Sequence, residues 1–169
     1  MREPLLYLSL YLKNHRETYY DLLQAVRQRG AWETWLEFFL TGVAGTANQA
    51  AETARRILSL FEADRNRIEA LGRAASSALR VHQLLQNRPL ITIPNAAIHL
   101  SLSQPTVTKS LEHLATLRIV REATGRRRGR TFVYDAYLNL LSEGTEPLPR
   151  RSAASHPTSR SAVATSSIG

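Results

Sequence analysis

Proline placement constrains this chain more than any other feature. None occurs between Pro4 and Pro89, and that interval is rich in Ala, Leu, Arg and Glu. Proline is the strongest helix breaker, so a long run of good helix formers without it reads as helices. Four are expected. The first spans about Leu5 to Leu12. The second is capped by Asn14, with Glu17 three residues on completing a capping box, and ends near Gly30. The third runs from Trp32 to Leu40 with Trp32, Trp35, Leu36 and Phe39 on one side. The fourth is long, from Thr46, where Gln49 repeats the capping-box pattern, to about Leu85. Its apolar face reads Ala47, Ala50, Ala54, Ile57, Phe61, Ile68, Leu71, Ala75, Ala78, and Gly72 is a candidate kink.

The texture changes at Leu90. Ile93 to Leu100 suits a two-turn helix, and Ser101-Leu102-Ser103 a turn. Ser103 can cap a helix from Gln104 to about Leu117. Two β-like runs, Ile119 to Thr124 and Arg130 to Tyr134, flank the loop Gly125-Arg126-Arg127-Arg128-Gly129 and read as a hairpin. A short helix, Asp135 to Leu141, follows. Residues 150–169 contain six serines and three arginines with no aromatic and no acid, so they are expected to be disordered.

Helix, helix, turn, helix, strand, basic loop, strand is the order of a winged helix-turn-helix. Val107, Leu111, Leu114 and Leu117 repeat at helical spacing and can cover Ala97, Leu100 and Leu102. That turns Thr106, Thr108, Lys109 and Glu112 outward, where threonine and lysine can meet phosphates or base edges. The loop would set Arg126, Arg127, Arg128 and Arg130 beside the same groove. The expected fold is therefore mainly α: a helical bundle segment (1–85) with a long helix leading into a C-terminal winged helix-turn-helix (86–149), then the tail (150–169).

Charge supports a polyanionic partner without naming it. There are 22 Lys+Arg against 14 Asp+Glu, a formal net charge of +8. Residues 81–149 hold eight basic and five acidic side chains, and four of the basic ones crowd into Arg126–Arg130. Local density matters more than net charge for phosphate contact, so weak duplex DNA binding is one reading. A module docking on protein is the other, and Glu112 favours it mildly by facing where phosphates would lie.

Several chemistries have no pattern to stand on. Cysteine is absent, which removes disulfides, thiolate metal sites and a cysteine nucleophile, and suits a reducing, cytoplasmic compartment. The histidines, His15, His82, His99, His113 and His156, show no metal-ligand spacing. No G-x-S-x-G, G-x-G-x-x-G or phosphate-binding P-loop occurs, and no carboxylate pair suggests an acid and base. No metal, cofactor or catalytic residue is expected. The longest uncharged stretch, Pro89 to Thr108, carries three prolines and a histidine and cannot span a membrane. The aromatics Tyr7, Tyr11, Tyr19, Tyr20, Trp32, Trp35, Phe38 and Phe39 read first as bundle core, and otherwise as a ligand or protein patch.

Several segments look familiar. Pro4-Leu5-Leu6-Tyr7-Leu8-Ser9-Leu10-Tyr11-Leu12, Tyr19-Tyr20-Asp21-Leu22-Leu23 and Trp32-Glu33-Thr34-Trp35-Leu36-Glu37-Phe38-Phe39-Leu40 resemble the second half of bacterial Fic family proteins. Thr92-Ile93-Pro94, Ser103-Gln104-Pro105-Thr106-Val107, Gly125-Arg126-Arg127-Arg128, Val133-Tyr134-Asp135 and Glu143-Gly144-Thr145-Glu146-Pro147-Leu148 are similar to the winged helix that closes many of them. The resemblance implies kinship with enzymes that transfer AMP from ATP to a protein hydroxyl. Their catalytic motif is HPF-x-[DE]-GNGR-x-x-R, and nothing here matches it. The one His-Pro pair, His156-Pro157, is followed by Thr158. The expectation is a non-catalytic C-terminal portion of such a protein. Leu5, Leu6, Leu8 and Leu12 would then need cover, from a Fic catalytic half or a self-dimer. The alternative expectation is a stand-alone dimeric winged-helix transcriptional regulator.

Overall fold

In the computed structural model, residues 4–126 and 129–143 are described, the side chains of residues 4–7 excepted. Among them the chain is mainly α, with seven α-helices and one small antiparallel sheet. Helix α1 is Pro4–Asn14, α2 is Arg16–Arg29 and α3 is Trp32–Glu69. A short 3-10 turn, Gly72–Ala74, leads into α4, Ala75–Asn87. Strand β1 is Leu90–Thr92, α5 is Ile93–Leu100 and α6 is Gln104–Thr116. Strands β2, Arg121–Glu122, and β3, Thr131–Val133, precede α7, Asp135–Ser142.

The N-terminal helices differ from the sequence expectation in three ways. Asn14 does not cap α2: it is the last residue of α1, and His15 occupies the cap position without a side-chain capping bond. The gap foreseen between Leu40 and Thr46 is absent, and α3 runs unbroken for 38 residues. Gly42 lies under the Tyr11 ring of α1, where a Cβ would collide. It is a packing contact inside a helix rather than a helix end. Thr46 points its Oγ1 back to the Val43 carbonyl at 3.0 Å, a bond that continues a helix instead of starting one. The long helix ends at Glu69 rather than near Leu85. Gly72, with φ +63°, marks a full break there, because only glycine takes that conformation cheaply.

The second region folds close to expectation. Ser103 caps α6, accepting from the Thr106 amide at 3.3 Å, and Pro105 sits in the first turn. Ser101 closes α5 in the left-handed region, φ +50°. The two β-like runs are shorter than expected, and β1 is an addition to them. Strand order is β1-β3-β2, with Ile91 opposite Phe132 on one side and Glu122 opposite Phe132 on the other. The Tyr134 amide extends the ladder by donating to the Pro89 carbonyl at 2.9 Å.

One core serves this region. Val81 and Leu85 of α4, Ala96 of α5, and Val107, Leu111 and Leu114 of α6 are fully buried. Ile91, Ile119, Val120, Phe132 and Tyr134 close it from the sheet side, and Ile68 enters from the end of α3. Tyr134 ties the layers together: its hydroxyl donates to Asp64 Oδ2 at 2.6 Å. Arg67 donates to the other Asp64 oxygen at 2.9 Å, so this buried carboxylate is answered on both sides. Burial and the hydrogen bond to Asp64 raise the Tyr134 pKa, so the hydroxyl stays a donor. Among the described residues, no helix is long and apolar enough to cross a membrane.

Candidate nucleic-acid interface

Helix α6 divides cleanly by face. Val107, Ser110, Leu111 and Leu114 are buried. Lys109 and Glu112 point to solvent, while Thr106 and Thr108 are half-buried on either flank. Both threonine hydroxyls are held locally. Thr106 Oγ1 lies 2.8 Å from Ser103 Oγ, and Thr108 Oγ1 donates to the Gln104 carbonyl at 2.9 Å. Each retains lone pairs, so each can accept from a base-edge or amine donor.

Lys109 does not stand alone. A cleft of about 300 Å³ runs along the flank of α6, lined by Arg73, Ser77, Thr106, Lys109, Ser110 and His113. The Ser110 hydroxyl donates to Ser77 Oγ at 3.0 Å and stitches α6 to α4. No carboxylate lines this cleft. Arg73 reaches it because the Gly72 break turns the chain just before α4. The sequence carried a signal for this, an arginine directly after a glycine in a helical run, but nothing local said which way it would point.

The loop arginines separate into two kinds. Arg126 is exposed and has no ion-pair partner among the described residues. Arg127 and Arg128 lie outside the described residues. Arg130 is only half-exposed: its guanidinium contacts Glu122 at 2.7 Å and lies 5.0 Å from the Phe132 ring centre. The hydrogen bond to Glu122 raises its pKa and fixes its charge against the sheet. Arg121 is likewise engaged, in two bonds of 2.7 and 3.0 Å to Asp135. Among the described residues, the cations without an ion-pair partner include Arg73 and Lys109, which line the cleft beside α6, and Arg126 at the hairpin.

Chemistry beyond charge has little foothold. Among the described residues, no group of three or more His, Asp or Glu side chains could hold a metal ion. His82 is buried between α4 and Tyr134, and Arg88 contacts His99 at 2.8 Å at the surface. No protein-family model matches the sequence.

Proposed function

We propose that this chain is a non-catalytic C-terminal portion of a Fic-type adenylyltransferase whose residues 86–149 form a winged helix-turn-helix that binds duplex DNA weakly through phosphates. One observation carries the binding half of this reading. Arg73 and Lys109 are unpaired cations lining a cleft without acids along a capped helix, and Arg126 is an exposed cation at the hairpin. The arrangement α4, α5, tight turn, α6 and a β2–β3 hairpin supports the winged-helix reading. In it α6 is the recognition helix and the arginine loop is the wing. Arg130, held by Glu122, shapes the hairpin more than it meets a phosphate. The Fic part rests on the segments between Pro4 and Leu148 that resemble that family. Without the HPF-x-[DE]-GNGR motif the chain has no base, magnesium ligand or phosphate cradle, so it transfers no AMP by itself.

Fluorescence anisotropy with a labelled duplex across salt tests the binding. About four or five phosphate contacts give a slope of log K against log salt of roughly −4. Replacing Arg126, Arg127 and Arg128 with alanine flattens it by about 3 units and weakens all sequences alike. Arg73→Ala removes about one unit, while Arg130→Ala leaves the slope nearly unchanged. No binding at low salt would leave a protein-docking module instead. A second reading, a stand-alone dimeric regulator, is favoured by an exposed apolar face on α3.

A further inference from the structure

Helix α3 has two apolar faces, and only one is used. Gly42, Thr46, Asp64 and Ile68 are buried against the rest of the chain. On an adjacent face stand Trp32, Leu36, Leu40, Val43, Ala47, Ala51, Ala54 and Leu58. All eight are exposed, Trp32 at 58%, Leu40 at 59% and Leu58 at 67%. Their spacings run 4, 4, 3, 4, 4, 3 and 4, an 11-residue pattern close to the natural period of an α-helix, so the stripe stays on one side of it. At 1.5 Å per residue the stripe runs roughly 39 Å along the helix, about seven turns. Beyond it Phe61 turns into the aromatic cluster of Tyr134 and Tyr137, and Arg65 ends the apolar face.

We infer that this face is the seam of an antiparallel homodimer, occupied by the same face of a second copy. Side-chain size argues for it first. Large residues fill the first half of the stripe and alanines most of the second. An antiparallel pair centred between Val43 and Ala47 places Leu36 against the partner's Ala54 and Leu40 against the partner's Ala51. Trp32 then meets the partner's Leu58, and Val43 the partner's Ala47. A parallel, in-register pair would set tryptophan on tryptophan and alanine on alanine, overfilled at one end and hollow at the other.

Charge argues for it independently. Glu33 and Glu37 flank the seam on the same side as Arg55, at opposite ends. The two-fold axis of an antiparallel pair brings the acids of one copy beside the Arg55 of the other. Arg55 now pairs with Glu52 in an exposed contact at 3.0 Å, which exchanges easily. Area is sufficient too. Seven turns of two helices, with five large side chains from each, bury on the order of the 1,200 Å² that specific interfaces reach. The proposed dimer surface is thus on α3. The inference does not depend on DNA binding.

The chain lacks cysteine, so pairing can be read directly. Sedimentation equilibrium of the full chain should show a dimer. Leu40→Glu should weaken it by about 100-fold or more, the effect of burying a charge without a partner. Helical content and the unfolding of the second region should stay unchanged. Glu37→Arg alone should weaken the dimer, and Glu37→Arg with Arg55→Glu should restore it. A mixture of Leu36→Cys and Ala54→Cys chains should form a disulfide-linked pair under mild oxidation, while neither cross-links by itself. A wild-type chain monomeric at about 100 μM, some hundred times a micromolar Kd, overturns the inference and leaves the seam to a different polypeptide. Self-cross-linking of Leu36→Cys overturns the antiparallel register.

Discussion

Residues 8–60 and residues 61–143 are both largely helical, yet only the second set owns a core. Every fully buried apolar side chain among the described residues lies between Ile68 and Tyr134. In the first set only Gly42 and Thr46 are buried, and α2 buries nothing. The one buried side-chain polar atom without a hydrogen-bond partner among the described residues, Trp35 Nε1, is also in the first set. Aromatic contacts hold that part together, with Tyr11 5.5 Å from Phe38 and Trp35 stacked on Phe39 at 5.3 Å. The difference shows that helical periodicity specifies a helix without specifying what covers it. The first set makes its helices from local propensity and leaves a face open. The second makes shorter elements that exist only because they pack on one another.

The sharpest way to break that comparison is to remove one core side chain and one from the bundle. Phe132 is 1% exposed and sits in the middle strand between Ile91 and Glu122. Phe132→Ala should cost about 3–5 kcal/mol, from lost burial and the cavity left behind. Leu12 is only half-buried on α1, so Leu12→Ala should cost clearly less. Chemical denaturation followed by circular dichroism reads both. Equal losses would mean that the two sets unfold as one unit with one shared stability.

What could be read from the sequence follows the same divide. Features set within a few residues were legible: the end of α2 at Gly30, φ +66°, the Ser103 cap, and the 107, 111, 114 spacing of α6. Features set by distant residues were not. The helix end expected after Leu40 is absent, and only the approach of Tyr11 shows Gly42 to be a packing contact inside α3. Strand β1 is three residues long and exists by pairing with β3, some forty positions later, so no local pattern announces it. At the candidate interface, Lys109 and Arg126 were legible as exposed cations. The engagement of Arg130 was not, since counting charge along a loop cannot say that Glu122 lies across the hairpin. Arg73 was missed because a helix break aims it.

A smaller effect probes how the end of α3 is joined to the core. Asp64 is the buried charge of α3 nearest the core, and Tyr134 answers it from beyond the sheet. Tyr134→Phe keeps the ring contacts with Phe61 and Tyr137 and removes only the donor. Asp64 then rests on Arg67 alone. The expected loss is about 1.5–3 kcal/mol, the range for a hydrogen bond to a charged group. It should be larger in wild-type than in an Asp64→Asn background, because the two side chains act on one another. A double-mutant cycle measured by denaturation decides this. Additive losses would place the Tyr134 contribution in its ring rather than its hydroxyl.

The smallest effect is the dependence of the core on pH through His82. This side chain is 2% exposed, lies between Phe61 and Tyr134, and has Nε2 3.5 Å from the Tyr134 hydroxyl. Burial lowers its pKa, because the charged imidazolium loses water there; the nearby Asp64 carboxylate opposes that shift and only partly offsets it. The folded state therefore binds the proton less readily than the unfolded chain, whose histidine titrates near 6.5. In the window between the two values the unfolded state holds more protons, so stability rises with pH. The contribution is complete above about pH 6.5 and is lost as pH falls toward the lowered folded value. Denaturation midpoints taken from pH 7.5 down to 5.5 should fall for the wild-type chain. His82→Gln keeps an uncharged polar group in the same place and cannot titrate, so its profile should be flatter. The difference between the two curves isolates His82 from the exposed His15 and His99. Parallel curves would mean that the proton reaches His82 without opening the core. The second set would then be looser around α4 than its burial implies, and the contrast with the bundle correspondingly weaker.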